Sequence, residues 1–152
     1  MLATPYEDMQ QDVLLPNTDE YDTVSEGIRA EELGYNTVWL GELWGADAFT
    51  RLAAIAAETE EIELGTAIVN VFSRTPAVIA MSAATLDDIS DGRMNLGFGV
   101  STEQAIQTIH GKEFERPVRR AHETIEIVQH LLEDDEPVTY DGELLSVEGV
   151  PP

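Results

Sequence analysis

Hydrophobic positions along the chain alternate between two periods. Val13-Leu14-Leu15 is a short apolar run that ends at Pro16-Asn17. From Tyr21 to Leu33 the apolar residues Tyr21, Val24, Ile28 and Leu33 fall on one helical face, and Gly34 supplies the stop. Thr37-Val38-Trp39-Leu40 is the next apolar run and leads into Gly41-Glu42. Asp47 then caps a predicted helix carrying Phe49, Leu52, Ala53, Ile55 and Ala56. Ile62 to Val69 reads as a buried strand, and Pro76 fits the first turn of a helix reaching about Ile89, with Asp91-Gly92 as its turn. Met94 to Val100 is a fourth strand. Arg116 to Leu132 holds Val118, Ala121, Ile125, Val128 and Leu132 at helical spacing, and Val138 to Leu145 reads as a short hairpin around Asp141-Gly142.

Repeated strand-then-helix units predict a parallel sheet with helical crossovers, its strands near 12–16, 37–42, 62–69 and 94–100. An open doubly wound sheet and half of a barrel both satisfy that alternation. The 152 residues suit one domain, or about half of a (β/α)₈ barrel of roughly 250 residues. No linker or low-complexity stretch divides them.

Composition narrows the function. Apolar residues make up 43%, enough for a sizeable core. The absence of cysteine excludes disulfides, a thiolate zinc site and a catalytic thiol. No apolar run approaches a membrane span, and MLATPYEDMQQD lacks the regions of a signal peptide, so the expected location is the cytoplasm. Thirty Asp and Glu stand against eight Lys and Arg, a formal charge of −22 that argues against nucleic-acid partners. The acids are scattered rather than gathered in a tail, the pattern expected of adaptation to high salt.

Most apparent motifs dissolve on inspection. Gly97-Phe98-Gly99 lacks the third glycine of a dinucleotide fingerprint, because Thr102 stands there. His122-Glu123-Thr124-Ile125-Glu126 lacks the second histidine of a zinc helix and reads as a solvated face. His110 and His130 have no companion at ligand spacing and read as surface residues. Asp87, Asp88 and Asp91 read as turn formers, no metal site is expected, and Ser101 lacks the context of a hydrolase nucleophile. Trp39 reads as core. Arg74 and Arg93 are the cations between the third and fourth strands, with Arg93 at the end away from any strand-mouth site. The informative positions are the C-terminal strand ends: Pro16-Asn17, Glu42-Leu43-Trp44, Ala67 to Asn70, and Gly99-Val100-Ser101. A carboxylate, an indole, an amide and a glycine-lined approach suit a flat aromatic cofactor better than a metal or phosphate cage.

Three stretches carry a family resemblance: AEELGYNTVWLGE (Ala30–Glu42), AAETEEIELGTAIVNVFSRTPAVIAMSAATLDDISDGRMNLGFGVS (Ala56–Ser101) and ERPVRRAHETIEIV (Glu115–Val128). The chain resembles the bacterial-luciferase-like, flavin- or deazaflavin-dependent oxidoreductases, and within them the methylenetetrahydromethanopterin reductase branch, which uses coenzyme F-420. The resemblance implies the N-terminal half of a (β/α)₈ TIM barrel, with the cofactor ring at its C-terminal face. It implies a non-prolyl cis peptide at Ala67-Ile68 behind the ring, with Asn70 at the strand mouth and Gly99 and Val100 as the strand-four wall. Glu42 matches an acidic position and is the implied acid-base or cofactor-orienting group. Leu43 stands where many relatives carry a histidine, and Thr102 where some reductases carry an acid.

The implied reaction is hydride transfer between reduced coenzyme F-420 and a small acceptor. The alternative is an FMN-dependent monooxygenase. A third reading is an inactive half barrel, 1–152, serving as an interaction or structural remnant. The implied partners are a small-molecule substrate, a deazaflavin or flavin, and either a second copy or a missing second half. Nucleic acid and membrane are not among them.

Overall fold

The computed structural model describes residues 10–151. Strands β1 (Asp12–Leu15), β2 (Thr37–Leu40) and β3 (Glu63–Thr66) alternate with helices α1 (Thr23–Glu32) and α2 (Ala48–Ala56). A two-residue β4 (Val69–Asn70) precedes α3 (Pro76–Ser90), and β5 (Met94–Asn95) and β6 (Phe98–Gly99) precede the short α4 (Glu103–Thr108). The long α5 (Pro117–Glu133) leads to the hairpin β7 (Val138–Asp141) and β8 (Ser146–Val150).

The main sheet runs β1-β2-β3-β5, all parallel and in chain order. That order excludes a doubly wound sheet, whose strand order reverses at a switch point. It leaves half of a (β/α)₈ barrel. Local signals explain the helices. Asp47 Oδ1 accepts from Thr50 N at 2.7 Å at the start of α2, Thr75 caps α3 with Pro76 in its first turn, and Asp91 closes it at φ 57°.

The predicted third and fourth strands are each broken in two. The first break is at Ala67-Ile68, whose peptide bond is cis. The second is at Leu96-Gly97, where Thr66 Oγ1 donates to the Gly97 carbonyl at 2.8 Å and accepts from Gly97 N at 2.9 Å. A Cβ on Gly97 would collide with the Thr66 carbonyl, so only glycine allows this approach. The outer halves then pair again as β4 and β6, Val69 opposite Phe98 and Asn70 opposite Gly99.

One face of the sheet is covered by helices. Val38, Leu40 and Leu64 are fully buried there with Leu52 and Ile55 of α2, and Gly27 of α1 packs directly on Ile55. Among the described residues no helix covers the other face, and Leu14 on it is 64% exposed. Trp39, expected in the core, lies on this open face. Its ring covers Gly65, and Nε1 donates to Asp12 Oδ2 at 3.2 Å. Period-two alternation puts Trp39 opposite to Val38 and Leu40, which take the helix side.

At the opposite end of the strands from their C-termini, Arg93 is spent on structure. It donates to the carbonyls of Ala56, Thr59, Ile62 and Ser90 and to Thr59 Oγ1. The hairpin extends further than its expected limit at Leu145, because its second strand is Ser146–Val150. Its turn is held from α5. Glu123, expected on a solvated face, is fully buried and accepts from Arg119 Nε at 2.6 Å and from the backbone N–H groups of Glu143, Leu144 and Leu145. Among the described residues no helix is long and apolar enough to cross a membrane.

Candidate functional site

The C-terminal ends of β1, β2 and β3 surround a cleft of about 540 Å³. Leu14, Leu15, Ala67 and Ile68 form its floor, with Leu43 and Trp44 on the loop after β2 and Ser101 after β6 at the rim. Trp44 is 74% exposed, and Ser101 holds φ 60°, a left-handed conformation uncommon for serine. Floor and rim come from four different chain crossings, and hydrogen bonds fix them to one another. Glu42 N donates to the Ile68 carbonyl at 3.0 Å, Ala67 N to the Leu40 carbonyl at 2.8 Å, and a Cβ on Gly41 would press within 3.0 Å of the Ala67 oxygen. Asn17 Nδ2 donates to the carbonyls of Gly41 and Ala46, at 2.8 and 2.9 Å, and so ties the loops after β1 and β2 together.

Glu42 lines the cleft, but its carboxylate is occupied. Arg74 Nε donates to Oε1 at 3.1 Å, Arg74 Nη2 to Oε2 at 2.8 Å, and Ala48 N to Oε2 at 3.1 Å. Arg74 also pairs with Asp47 and lies 5.1 Å over the Phe49 ring. The hydrogen bond to Glu42 raises Arg74 above its ordinary value against the effect of burial. Burial disfavours the Asp47 charge, yet the hydrogen bonds from Thr50 and Arg74 outweigh it and hold the carboxyl below its usual range. The group is a bidentate ion-pair cluster that sets the loop carrying Trp44.

The other expected site residues are divided. Ala67 and Ile68 stand on the cleft floor. Asn70 is buried behind it, its Oδ1 accepting from Phe72 N at 3.1 Å and Ser73 N at 2.8 Å. Gly99 pairs with Asn70, and a Cβ there would meet Ile68 Cδ1 at 3.5 Å, so Gly99 supports the floor from one side. Val100 packs with Val71, Phe72 and Ile106. His110, expected at the surface, is half-buried with Nε2 3.5 Å from Asn70 Nδ2. Spacing alone hid it, since the contact spans 40 positions. Asn17 and Arg74 had a weaker trace, in the strand-end Pro16-Asn17 and in Ser73-Arg74-Thr75-Pro76 before α3.

The cleft fits a flat, largely apolar ring. Asn17 Oδ1 is buried without a hydrogen-bond partner and can accept a ring N–H. The nearby cations are already engaged, Arg74 as above and Arg51 with the Thr18 carbonyl and Thr23 Oγ1. The described residues hold no cluster of three or more metal-ligating side chains.

Comparison with known proteins agrees with this architecture. A Mycobacterium tuberculosis protein described as a coenzyme F-420-dependent oxidoreductase is 42% identical over 113 residues, covering 74% of this chain and 33% of its own length. The 5,10-methylenetetrahydromethanopterin reductase of Archaeoglobus fulgidus is 31% identical over 121 residues, covering 79% of this chain and 36% of its own. The crystal structure of a monooxygenase from Streptomyces bottropensis superposes with a TM-score of 0.82 at 28% identity, over 93% of this chain and 48% of that one. The chain thus spans about a third of the curated relatives and about half of that structure. The family model for luciferase-like monooxygenases matches residues 17–151. By that match, the chain belongs to the luciferase-like monooxygenase family.

Proposed function

We propose that this chain is the ring-binding half of a coenzyme F-420-dependent oxidoreductase that moves hydride between the reduced deazaflavin and a small acceptor. The observation that carries the reading is the cleft floor at Ala67-Ile68, an apolar shelf at the C-terminal ends of β1, β2 and β3. The identity to the Mycobacterium tuberculosis protein supports the choice of deazaflavin.

The bound cofactor would supply the hydride, and the protein would supply position and dryness. Ala67 and Ile68 back the ring, with Gly99 and Val100 holding that wall from β6. Asn17 Oδ1 accepts a ring N–H. Asn70 fixes the turn between β4 and α3. Glu42, neutralised by Arg74, orients the cofactor by holding the Trp44 loop rather than by exchanging a proton. The remaining barrel strands come from outside this chain.

Fluorescence titration tests this. The chain alone should bind coenzyme F-420 weakly, and a supplied second half-barrel should restore binding in preference to FMN. Tight stoichiometric binding to the chain alone would overturn the half-barrel requirement. Preference for FMN would favour the second reading, a flavin monooxygenase, which the likeness to the Streptomyces bottropensis enzyme supports.

A further inference from the structure

Arg120 is a cation held in place by aromatic rings. Its guanidinium lies 5.0 Å over the Phe72 ring, and Phe72 stacks on Phe114 with ring centroids 5.1 Å apart. This pile sets the plane of the guanidinium and leaves its N–H edge to find partners. Arg116 and Arg119 on the same helix pair with Glu143 and Glu123. Arg120 pairs with no carboxylate among the described residues, and its Nε is shielded from solvent with no hydrogen-bond partner. A shielded charged donor left unpaired is costly, and core packing does not account for it.

Arg120 lines a separate cleft of about 280 Å³, together with Phe72, Lys112, Glu113 and Glu115. Lys112 also has no ion-pair partner among the described residues. Glu115 and Arg120 bracket the first turn of the 17-residue α5, whose N-cap Arg116 sits at φ 44° and offers no side-chain cap. The uncapped amides at that end add positive potential to the two side chains. Glu113 and Glu115 are exposed and offset the formal charges of Lys112 and Arg120, so an anion there is held by directional N–H contacts and only weakly.

We propose that this cleft is an anion site for a phosphate group, with Arg120 as the planar fork and Lys112 as the point charge. It lies apart from the ring cleft and does not depend on the cofactor assigned to that cleft. The phosphate belongs either to the tail of the bound cofactor or to a separate phosphorylated small molecule.

The test is titration of the chain with inorganic phosphate at a fixed potassium chloride concentration that keeps it folded, reading the arginine Nε–H resonances. Saturable shifts at Arg120 are expected. Arg120→Gln should weaken binding about tenfold or more, and Lys112→Gln several-fold, as loss of a charge-assisted contact does. Glu113→Gln should tighten binding, and Arg29→Gln on exposed α1 should leave it unchanged. A non-saturating response shared by Arg29, or equal binding in Lys112→Gln and Glu113→Gln, overturns the site even where Arg120→Gln fails to fold. Prior addition of coenzyme F-420, together with the second half-barrel that its binding requires, assigns the source. Loss of the phosphate shifts identifies the cofactor tail, and their persistence identifies a separate ligand. A chain that binds phosphate but, even with the second half-barrel, no coenzyme retains this site while losing the proposed function.

Discussion

Arg74 grips both carboxylate oxygens of Glu42 across 32 positions of sequence, Nε to Oε1 at 3.1 Å and Nη2 to Oε2 at 2.8 Å. The two side chains are only 16% and 17% exposed, so the pair is well shielded from solvent. Removing one member therefore strands a partly desolvated charge. Arg74→Ala should cost about 2–3 kcal/mol, below the range for fully buried pairs. Arg74→Lys should recover little, because an ammonium cannot reproduce the fork. Urea denaturation of the three proteins at one salt concentration checks this. Equal stability of Arg74→Ala and the parent would show that the cluster holds nothing in place.

Glu123 predicts a pH dependence with a definite sign. Burial pushes its carboxyl up, but the Leu144 N–H, the Arg119 guanidinium and the N–H groups of Leu145 and Glu143 outweigh burial and bring it to about 2, from an ordinary 4.5. A depressed folded-state value stabilises above the unfolded value and is lost as pH falls from 4.5 toward 2. Glu123→Gln should cost about 3 kcal/mol at pH 7, since a neutral amide cannot accept from all four donors. The gap to the parent should narrow as pH is lowered toward about 3, in step with protonation of the parent carboxylate. A gap independent of pH would mean that the charge of Glu123 is immaterial to the hairpin.

Gly97→Ala should be among the most damaging single-methyl additions. The new Cβ would strike the Thr66 backbone oxygen, which cannot rotate away as a side chain would. The expected cost is about 3 kcal/mol, the upper end for overpacking. Gly99→Ala, with ordinary contact to Ile68, should cost much less. Thermal melts of both variants separate the two outcomes, and equal melting points would contradict the close approach.

Local signals carried most of the fold. Asp47, Pro76 and Asp91-Gly92 act on their own helix ends, and each does in the structure what its chemistry implies. The break at Ala67-Ile68 falls at the step where the resemblance implied a cis peptide, whereas the break at Leu96-Gly97 follows from Thr66 meeting Gly97 across 31 positions, which no periodicity encodes. Trp39 turned to the open face by alternation with Val38 and Leu40, and Gly65 on the next strand leaves room for its indole. Glu123 and Glu42 looked like free surface or site carboxylates because most of what holds them, residues 143–145 and Arg74, lies 20 or more positions away. Strand-end geometry was legible, and polar partnerships at long range were not.

The acids predict how the chain responds to salt. Eight cations cannot offset 30 carboxylates, and among the described residues the ion pairs of Lys and Arg use Arg51, Arg74, Arg116 and Arg119. Uncompensated charge concentrates at identifiable places. Glu133, Asp134, Asp135 and Glu136 are all exposed at the C-terminal end of α5, where the helix dipole is also negative. Screening shortens from about 10 Å at 0.1 M salt to about 3 Å at 1 M, so neighbouring carboxylates should cease to repel only at molar concentrations. Circular dichroism across a potassium chloride series should show a melting temperature rising by about 5 °C or more, equivalent to roughly 2 kcal/mol in a chain of this size. Amide exchange should show the gain first in the last turn of α5 and in the hairpin it anchors. Replacing Asp134, Asp135 and Glu136 together by Asn and Gln should reproduce part of that gain at low salt. A melting temperature flat across the series, or unchanged by those substitutions at low salt, would show that self-repulsion does not limit this fold.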